Sequence, residues 1–164
     1  MPVILAIDDE QTFLIALTEA LQRSNRDVVI ETATTVEHGL SLITRRHFDV
    51  IVTDFRMPGR DGLDLLRDMR VLAPDTPVLL LTGYGSAALQ EEALRCGAYA
   101  VLEKPVDVDV LYSAVTRSLL RSELLRRAAP PISESLLSRT EEQDLHQRIE
   151  QLNERLNQTL RRAS

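Results

Sequence analysis

Lysine occurs once in this chain, at Lys104, although lysine and arginine together number 19 of 164 residues. Two readings fit that scarcity. One is a bias toward arginine codons that left a single survivor. The other is a position that needs a compact ammonium, which a planar guanidinium does not imitate. Cysteine also occurs once, at Cys96, which excludes an intrachain disulfide and suits a reducing compartment. Aromatic residues are only 4%, yet hydrophobic residues reach 44%, enough for a core. Positive charge is in deficit, with a net charge of -6, so a nucleic-acid surface is not favoured. No run approaches the roughly 20 apolar residues of a membrane span. Met1-Pro2-Val3-Ile4 enters a strand with no basic segment before it, so no signal peptide is expected. The expectation is a cytoplasmic protein with neither nucleic acid nor membrane as partner, built as one ordinary domain plus an extension.

What is present is organised around Ile51-Val52-Thr53-Asp54-Phe55-Arg56-Met57-Pro58-Gly59-Arg60-Asp61-Gly62. An apolar run from Asp49 to Thr53 reads as a buried strand. Asp54 ends it, a Pro/Gly turn follows, and Asp61 can cap a helix with Asp64 in its first turn. The same grammar repeats along the chain. Strands are expected at Val3 to Ile7, Val28 to Ile30, Phe48 to Thr53, Val78 to Leu81 and Tyr99 to Leu102. Helices are expected from Gln11 to Arg23, after Thr34 or Thr35, around Leu63 to Met69, from Ser86 to Arg95 ahead of Gly97, and after Asp107 or Asp109. Five βα units with strands apolar throughout imply a parallel sheet covered on both faces. The doubly wound order 2-1-3-4-5 places the ends of the first and third strands side by side.

In that order four consecutive strand ends carry Asp8-Asp9, Asp54, Thr82 and Lys104. Each alone has an ordinary explanation: capping acids, a strand-end hydroxyl, a solvated turn. Together they form a cluster with a definite chemistry. Three crowded carboxylates repel unless a cation intervenes. Hard oxygen ligands suit Mg²⁺, which takes one or two protein carboxylates and keeps waters. A carboxylate can act as nucleophile and form an acyl phosphate. A metal and an ammonium then neutralise the phosphoryl oxygens, and a hydroxyl at Thr82 can donate to one of them.

At this point the sequence resembles the receiver domain of two-component response regulators. The matching residues are Asp8-Asp9, Asp54 with Met57-Pro58-Gly59 and Asp61-Gly62, Thr82-Gly83, Gly97-Ala98 and Lys104-Pro105, over roughly Val3 to Leu120. The resemblance implies a flavodoxin-like (βα)5 receiver that accepts a phosphoryl group on Asp54 from a sensor histidine kinase or a phosphotransfer protein. It implies Mg²⁺ held directly by Asp9, mainly through water by Asp8, and by Asp54 and the backbone carbonyl of Arg56. It makes Thr82 the switch hydroxyl and Lys104 the partner of the phosphoryl group. Such a domain is not a dedicated enzyme; it catalyses its own phosphotransfer and autodephosphorylation. One position departs from the pattern. Receivers usually carry Tyr or Phe three residues before the lysine, and here that residue is Val101. Tyr99 lies two residues off, expected on the same strand face. Tyr84 either takes part of the switch role or tunes water access to the phosphate.

The composition changes after the five units. The receiver is expected over 1–125, an extension of the last helix and a linker over 126–138 around Pro130-Pro131, and a further helix over 139–163. Leu145, Ile149, Leu152 and Leu156 are spaced as a heptad seam and suit a parallel two-stranded coiled coil. The competing reading is a surface helix. The 33 residues from 132 to 164 are too few for a DNA-binding output domain, so output through a downstream protein partner and a homodimer is expected. His146 is followed by Gln147 where a histidine-kinase box has an acid, which argues against a phospho-histidine role. Two alternatives remain. The chain can be the receiver and coil of a longer hybrid kinase or enzyme-output regulator. It can also be a Mg²⁺-dependent aspartyl-phosphate phosphatase of the haloacid dehalogenase type, although that family wants an Asp-x-Asp near the first strand.

Overall fold

In the computed structural model, residues 1–24, 27–128 and 147 are described. The chain divides into two compact units, Met1–Arg126 and Arg127–Ser164, and the site described below lies in the first. Its elements alternate: β1 (Val3–Ile7), α1 (Gln11–Ser24), β2 (Val29–Ala33), α2 (Val36–Ile43), β3 (Val50–Asp54), α3 (Gly62–Leu72), β4 (Val78–Thr82), α4 (Ala87–Arg95), β5 (Ala100–Glu103) and α5 (Val108–Ala128). The strands form one sheet in the order β2-β1-β3-β4-β5, and every pairing is parallel. This is the doubly wound architecture expected from the sequence, with strand and helix ends displaced by at most three residues. The seam residues Leu145, Ile149, Leu152 and Leu156 and the Pro130-Pro131 linker lie outside the described residues.

The core follows from strand alternation. Ile4 and Ala6, Val50 and Val52, Leu79 and Leu81 point to one side and pack with Leu14, Leu17 and Leu21 of α1 and Leu111, Ala114 and Val115 of α5. The intervening residues Leu5, Ile7, Ile51 and Leu80 are equally buried and face α2 and α3. Burial on both faces is what all-apolar parallel strands require. β3 is the centre of the sheet and is pinned at its start as well. The Asp49 carboxylate accepts from the Val3 N–H at 2.7 Å, and its carbonyl accepts from the Ser122 hydroxyl of α5 at 2.6 Å.

Local chemistry fixes the helix entries that border the strand ends. Asp61 accepts from the N–H groups of Leu63 and Asp64, and the Asp64 carboxylate accepts from the Asp61 N–H, a reciprocal capping box. Ser86 caps α4, Thr35 caps α2, and Asp107 accepts from Asp109 and Val110 at the start of α5. Gly97, at φ +102, ends α4. At Gly62 the requirement is space. A Cβ there would lie 2.7 Å from the Asp54 carbonyl oxygen and 2.5 Å from Leu80 Cδ1. The Gly62 N–H instead donates to the Phe55 carbonyl at 2.9 Å, drawing α3 tight against the end of β3.

Gly62→Ala should therefore cost about 1–3 kcal/mol of unfolding free energy, since the obstructing atom is backbone that carries Asp54. Urea denaturation measures it. A neutral substitution would mean that α3 is free to move away from the strand end.

Candidate functional site

The parallel register brings four strand ends to one edge. Asp8 follows β1, Asp54 closes β3, Thr82 closes β4 and Lys104 follows β5. Backbone bonds carry the ladder past the strand ends. The Asp8 N–H donates to Ala33, Phe55 to Leu81 at 2.7 Å, and Lys104 to Thr82 at 2.7 Å. The side chains are thereby fixed by the sheet itself, which holds them more firmly than a free loop would.

One ammonium joins the acids. Lys104 Nζ donates to Asp8 Oδ2 at 2.7 Å and lies 2.8 Å from Asp54 Oδ1. The Asp8 and Asp54 side chains are 2% and 10% exposed. The other Asp8 oxygen accepts from the Glu10 N–H at 2.8 Å, which closes the turn into α1. Asp9 is exposed beside them. One oxygen from each of Asp8, Asp9 and Asp54 falls within 4.8 Å of the others.

Both members of the central pair hold their protons tightly. Burial pushes the Asp54 carboxyl above the ordinary 3.8, and the hydrogen bond and charge of Lys104 pull it only part of the way back; the neighbouring Asp8 adds to the rise. For Lys104, burial disfavours the ammonium, but its bonds to Asp54 and Asp8 outweigh that and hold it above 10.5. An acid and a base both biased toward protonation describe a site short of positive charge. Three carboxylates against one ammonium leave a formal excess of two negative charges. A divalent cation with oxygen ligands would meet that excess, and the carboxylates of Asp8, Asp9 and Asp54 offer the hard oxygens that suit Mg²⁺.

Thr82 is buried, and its Oγ1 accepts from the Tyr84 N–H at 3.2 Å. Tyr84 is 77% exposed, and the Arg56 guanidinium lies 5.6 Å from its ring centroid. The two residues share an open depression beside the acids with Phe55, Gly85, Ser86, Leu89 and Glu103. Val101 pairs with Leu80 and so lies on the sheet face opposite Leu79 and Leu81. Tyr99 does not share that face, contrary to the sequence expectation. It precedes β5, packs against the cluster on the α1 and α5 side, and has Arg121 of α5 at 5.5 Å from its ring. The alternation breaks because the strand begins only at Ala100.

Sequence reasoning missed two contacts: the Arg56–Tyr84 stack, and Phe13 of α1, whose ring centroid is 4.2 Å from Lys104 Nζ. Phe13 reads as one of several apolar positions in an amphipathic helix. Its one distinguishing sign is an aromatic residue a single turn after Asp9 in a chain with few aromatics.

Burial makes ionised Asp54 a cost to the metal-free fold at neutral pH. For an acid whose native value is raised, that cost is absent below the unfolded value of 3.8 and grows as pH rises through the native one. Asp54→Asn should thus be at least as stable as the parent at pH 7 without metal, with the advantage vanishing toward pH 3. Lys104 acts in the same direction at alkaline pH: the stability it contributes is present below 10.5 and is lost as pH rises past its raised native value. Thermal unfolding across pH reads both. A clearly less stable asparagine variant at pH 7 would contradict the sign.

A family model described as "Response regulator receiver domain" matches residues 4–116. The chain is 39% identical over 119 residues to the C4-dicarboxylate transport transcriptional regulatory protein DctD of Pseudomonas aeruginosa, covering 71% of this chain and 25% of that protein. It is 33% identical over 135 residues to the photosynthetic apparatus regulatory protein RegA of Cereibacter sphaeroides, covering 82% and 68%. The crystal structure of a response regulator receiver domain protein from Clostridium thermocellum superposes with a TM-score of 0.71 at 33% identity, covering 76% of this chain and 99% of that one. The solution structure of the beryllofluoride-activated NtrC4 receiver domain dimer gives 0.70 at 30%, covering 74% and 99%. The chain spans 25% of the length of DctD and 25% of PilR, another matched regulator from Pseudomonas aeruginosa.

Proposed function

The chain belongs to the response regulator receiver family, and from that premise we propose that it is a phosphorylation-controlled signalling switch with Asp54 as its phosphoacceptor. The observation that carries this reading is the buried Asp54 carboxylate at a strand end, bridged by the single lysine to Asp8. Receiver domains bind Mg²⁺ at such an acidic pocket and exchange phosphoryl groups with histidine kinases or phosphotransfer proteins.

In the proposed reaction an Asp54 carboxylate oxygen attacks the phosphorus of a phospho-imidazole on the kinase. The new P–O bond forms as the P–N bond breaks, and the imidazole nitrogen keeps the electron pair. The product is an acyl phosphate. Water later attacks the same phosphorus and returns the carboxylate and inorganic phosphate, which is the autodephosphorylation step. Lys104 turns from Asp54 toward the phosphoryl oxygens, and Thr82 donates its hydroxyl to one of them. Bound Mg²⁺, held by Asp8, Asp9, Asp54 and the Arg56 carbonyl, would supply charge neutralisation and hold the phosphoryl group in line. The Arg56–Tyr84 pair at the rim sets how freely water reaches the phosphate. With Val101 in the place of the usual ring, the switch works without an aromatic turning inward at that position. The single thiol of Cys96 suits the reducing cytoplasm.

Acetyl phosphate should phosphorylate the protein only when Mg²⁺ is present, and intact-mass spectrometry reads the adduct. Equal uptake by Asp54→Asn, or uptake unaffected by EDTA, would remove Asp54 from the role.

The output reading rests on the sequence after the receiver. A downstream protein partner and a homodimer are favoured by the seam at Leu145, Ile149, Leu152 and Leu156, and the receiver dimer among the similar structures adds support. Burying four such side chains per chain gains about 1.5–3 kcal/mol each, against roughly 4–15 kcal/mol of lost rigid-body freedom. That near balance is what lets phosphorylation tip it. A second reading, a receiver and coil belonging to a longer regulator, is favoured by the greater length of DctD and PilR.

Sedimentation of the full chain and of a truncation after Ala129, each with and without beryllofluoride, should show a dimer that depends on both the coil and activation. A monomer throughout at high micromolar concentration would contradict it, as would a dimer equally tight without the coil.

A further inference from the structure

Lys104 has a third neighbour that takes no part in the charge balance. Phe13 is the third residue of α1, one turn beyond Asp9. It packs against the buried cluster built from β1, β3, β4, α1 and α5, so its ring is held in place from behind. The Lys104 ammonium lies 4.2 Å from the centroid of that ring, 2.7 Å from Asp8 Oδ2 and 2.8 Å from Asp54 Oδ1. An ammonium has three N–H bonds. The two carboxylates accept two of them, and the ring is the neighbour left for the third.

We propose that Phe13 is a positioning residue of the phosphoryl-transfer site, the platform on which the Lys104 ammonium rests over Asp54 and from which it turns to the phosphoryl oxygens. This deepens the acceptor reading above and rests on it. The physical case lies in what an aromatic face offers a cation. It attracts the ammonium through the ring quadrupole, yet brings no formal charge to a site already crowded with carboxylates. It also imposes no single bond direction, so the ammonium can rotate from a carboxylate oxygen to a phosphoryl oxygen without leaving its seat. A third carboxylate would hold the lysine too firmly. An aliphatic residue would fill the space and leave the four-carbon stem free to sample other rotamers. The ring thus narrows the positions open to a flexible side chain whose tip must act at one place.

Because Lys104 is the only lysine, growth on ε-¹³C-lysine gives the full chain a single side-chain methylene signal. A ring face at this distance displaces that signal upfield. The displacement should vanish in Phe13→Leu and persist in Phe13→Tyr. Titration with beryllofluoride in Mg²⁺ should show binding to Phe13→Leu weakened by about threefold to tenfold, the worth of one partly shielded cation–π contact, and restored in Phe13→Tyr. Fluorinated phenylalanines at position 13 should weaken binding in order of fluorine count, since they drain the quadrupole while keeping the shape. This series remains informative if the leucine variant folds poorly. A flat series, or full affinity in a folded Phe13→Leu that has lost the displacement, would overturn the proposal and leave the ring as filler. A wild-type signal that does not move with beryllofluoride would instead overturn the acceptor reading beneath it.

Discussion

The Lys104 ammonium, shared between Asp8 and Asp54 at 2.7 and 2.8 Å, is the contact on which the rest of this site depends. It holds the two buried carboxylates side by side and partly offsets the burial that pushes the Asp54 carboxyl up. With it, they remain close to one another and to Asp9, and the site still lacks positive charge. That shortfall is what the proposed divalent cation would meet.

The sheet order is what makes the contact possible. Lys104 and Asp8 are 96 residues apart in sequence, and they meet because β1, β3, β4 and β5 are consecutive in the sheet. Gly62 serves the same end from the other side, letting α3 close against the Asp54 carbonyl where any side chain would collide. The covered faces exclude water from Asp54 and so raise its affinity for a proton. Fold and chemistry are joined through that burial.

Much of this was legible in the sequence. Periodicity located five βα units, and the all-apolar strands required both faces to be covered. The order 2-1-3-4-5 by itself brings Asp8, Asp54, Thr82 and Lys104 to one edge. Ends were less legible. Asp54 and Thr82 belong to their strands as last residues, because the ladder bonds continue past the apolar run. Tyr99 lies on the other face from the one parity predicts, since the strand begins only at Ala100. Phe13 was hidden for a different reason. An apolar residue on an amphipathic helix accounts for itself by packing, and only the three-dimensional path of the lysine stem shows that one ring face of the core also meets a cation.

The central claim is that one ammonium occupies the carboxylates that the proposed metal and phosphoryl group would also use. Mg²⁺ affinity of Lys104→Met against the parent, measured by calorimetry on the unphosphorylated chain, tests it most directly. Removing a positive charge bonded to two of the three acids should tighten Mg²⁺ binding. Weaker or unchanged Mg²⁺ binding in the folded variant would show that the ammonium and the metal do not compete for the same oxygens.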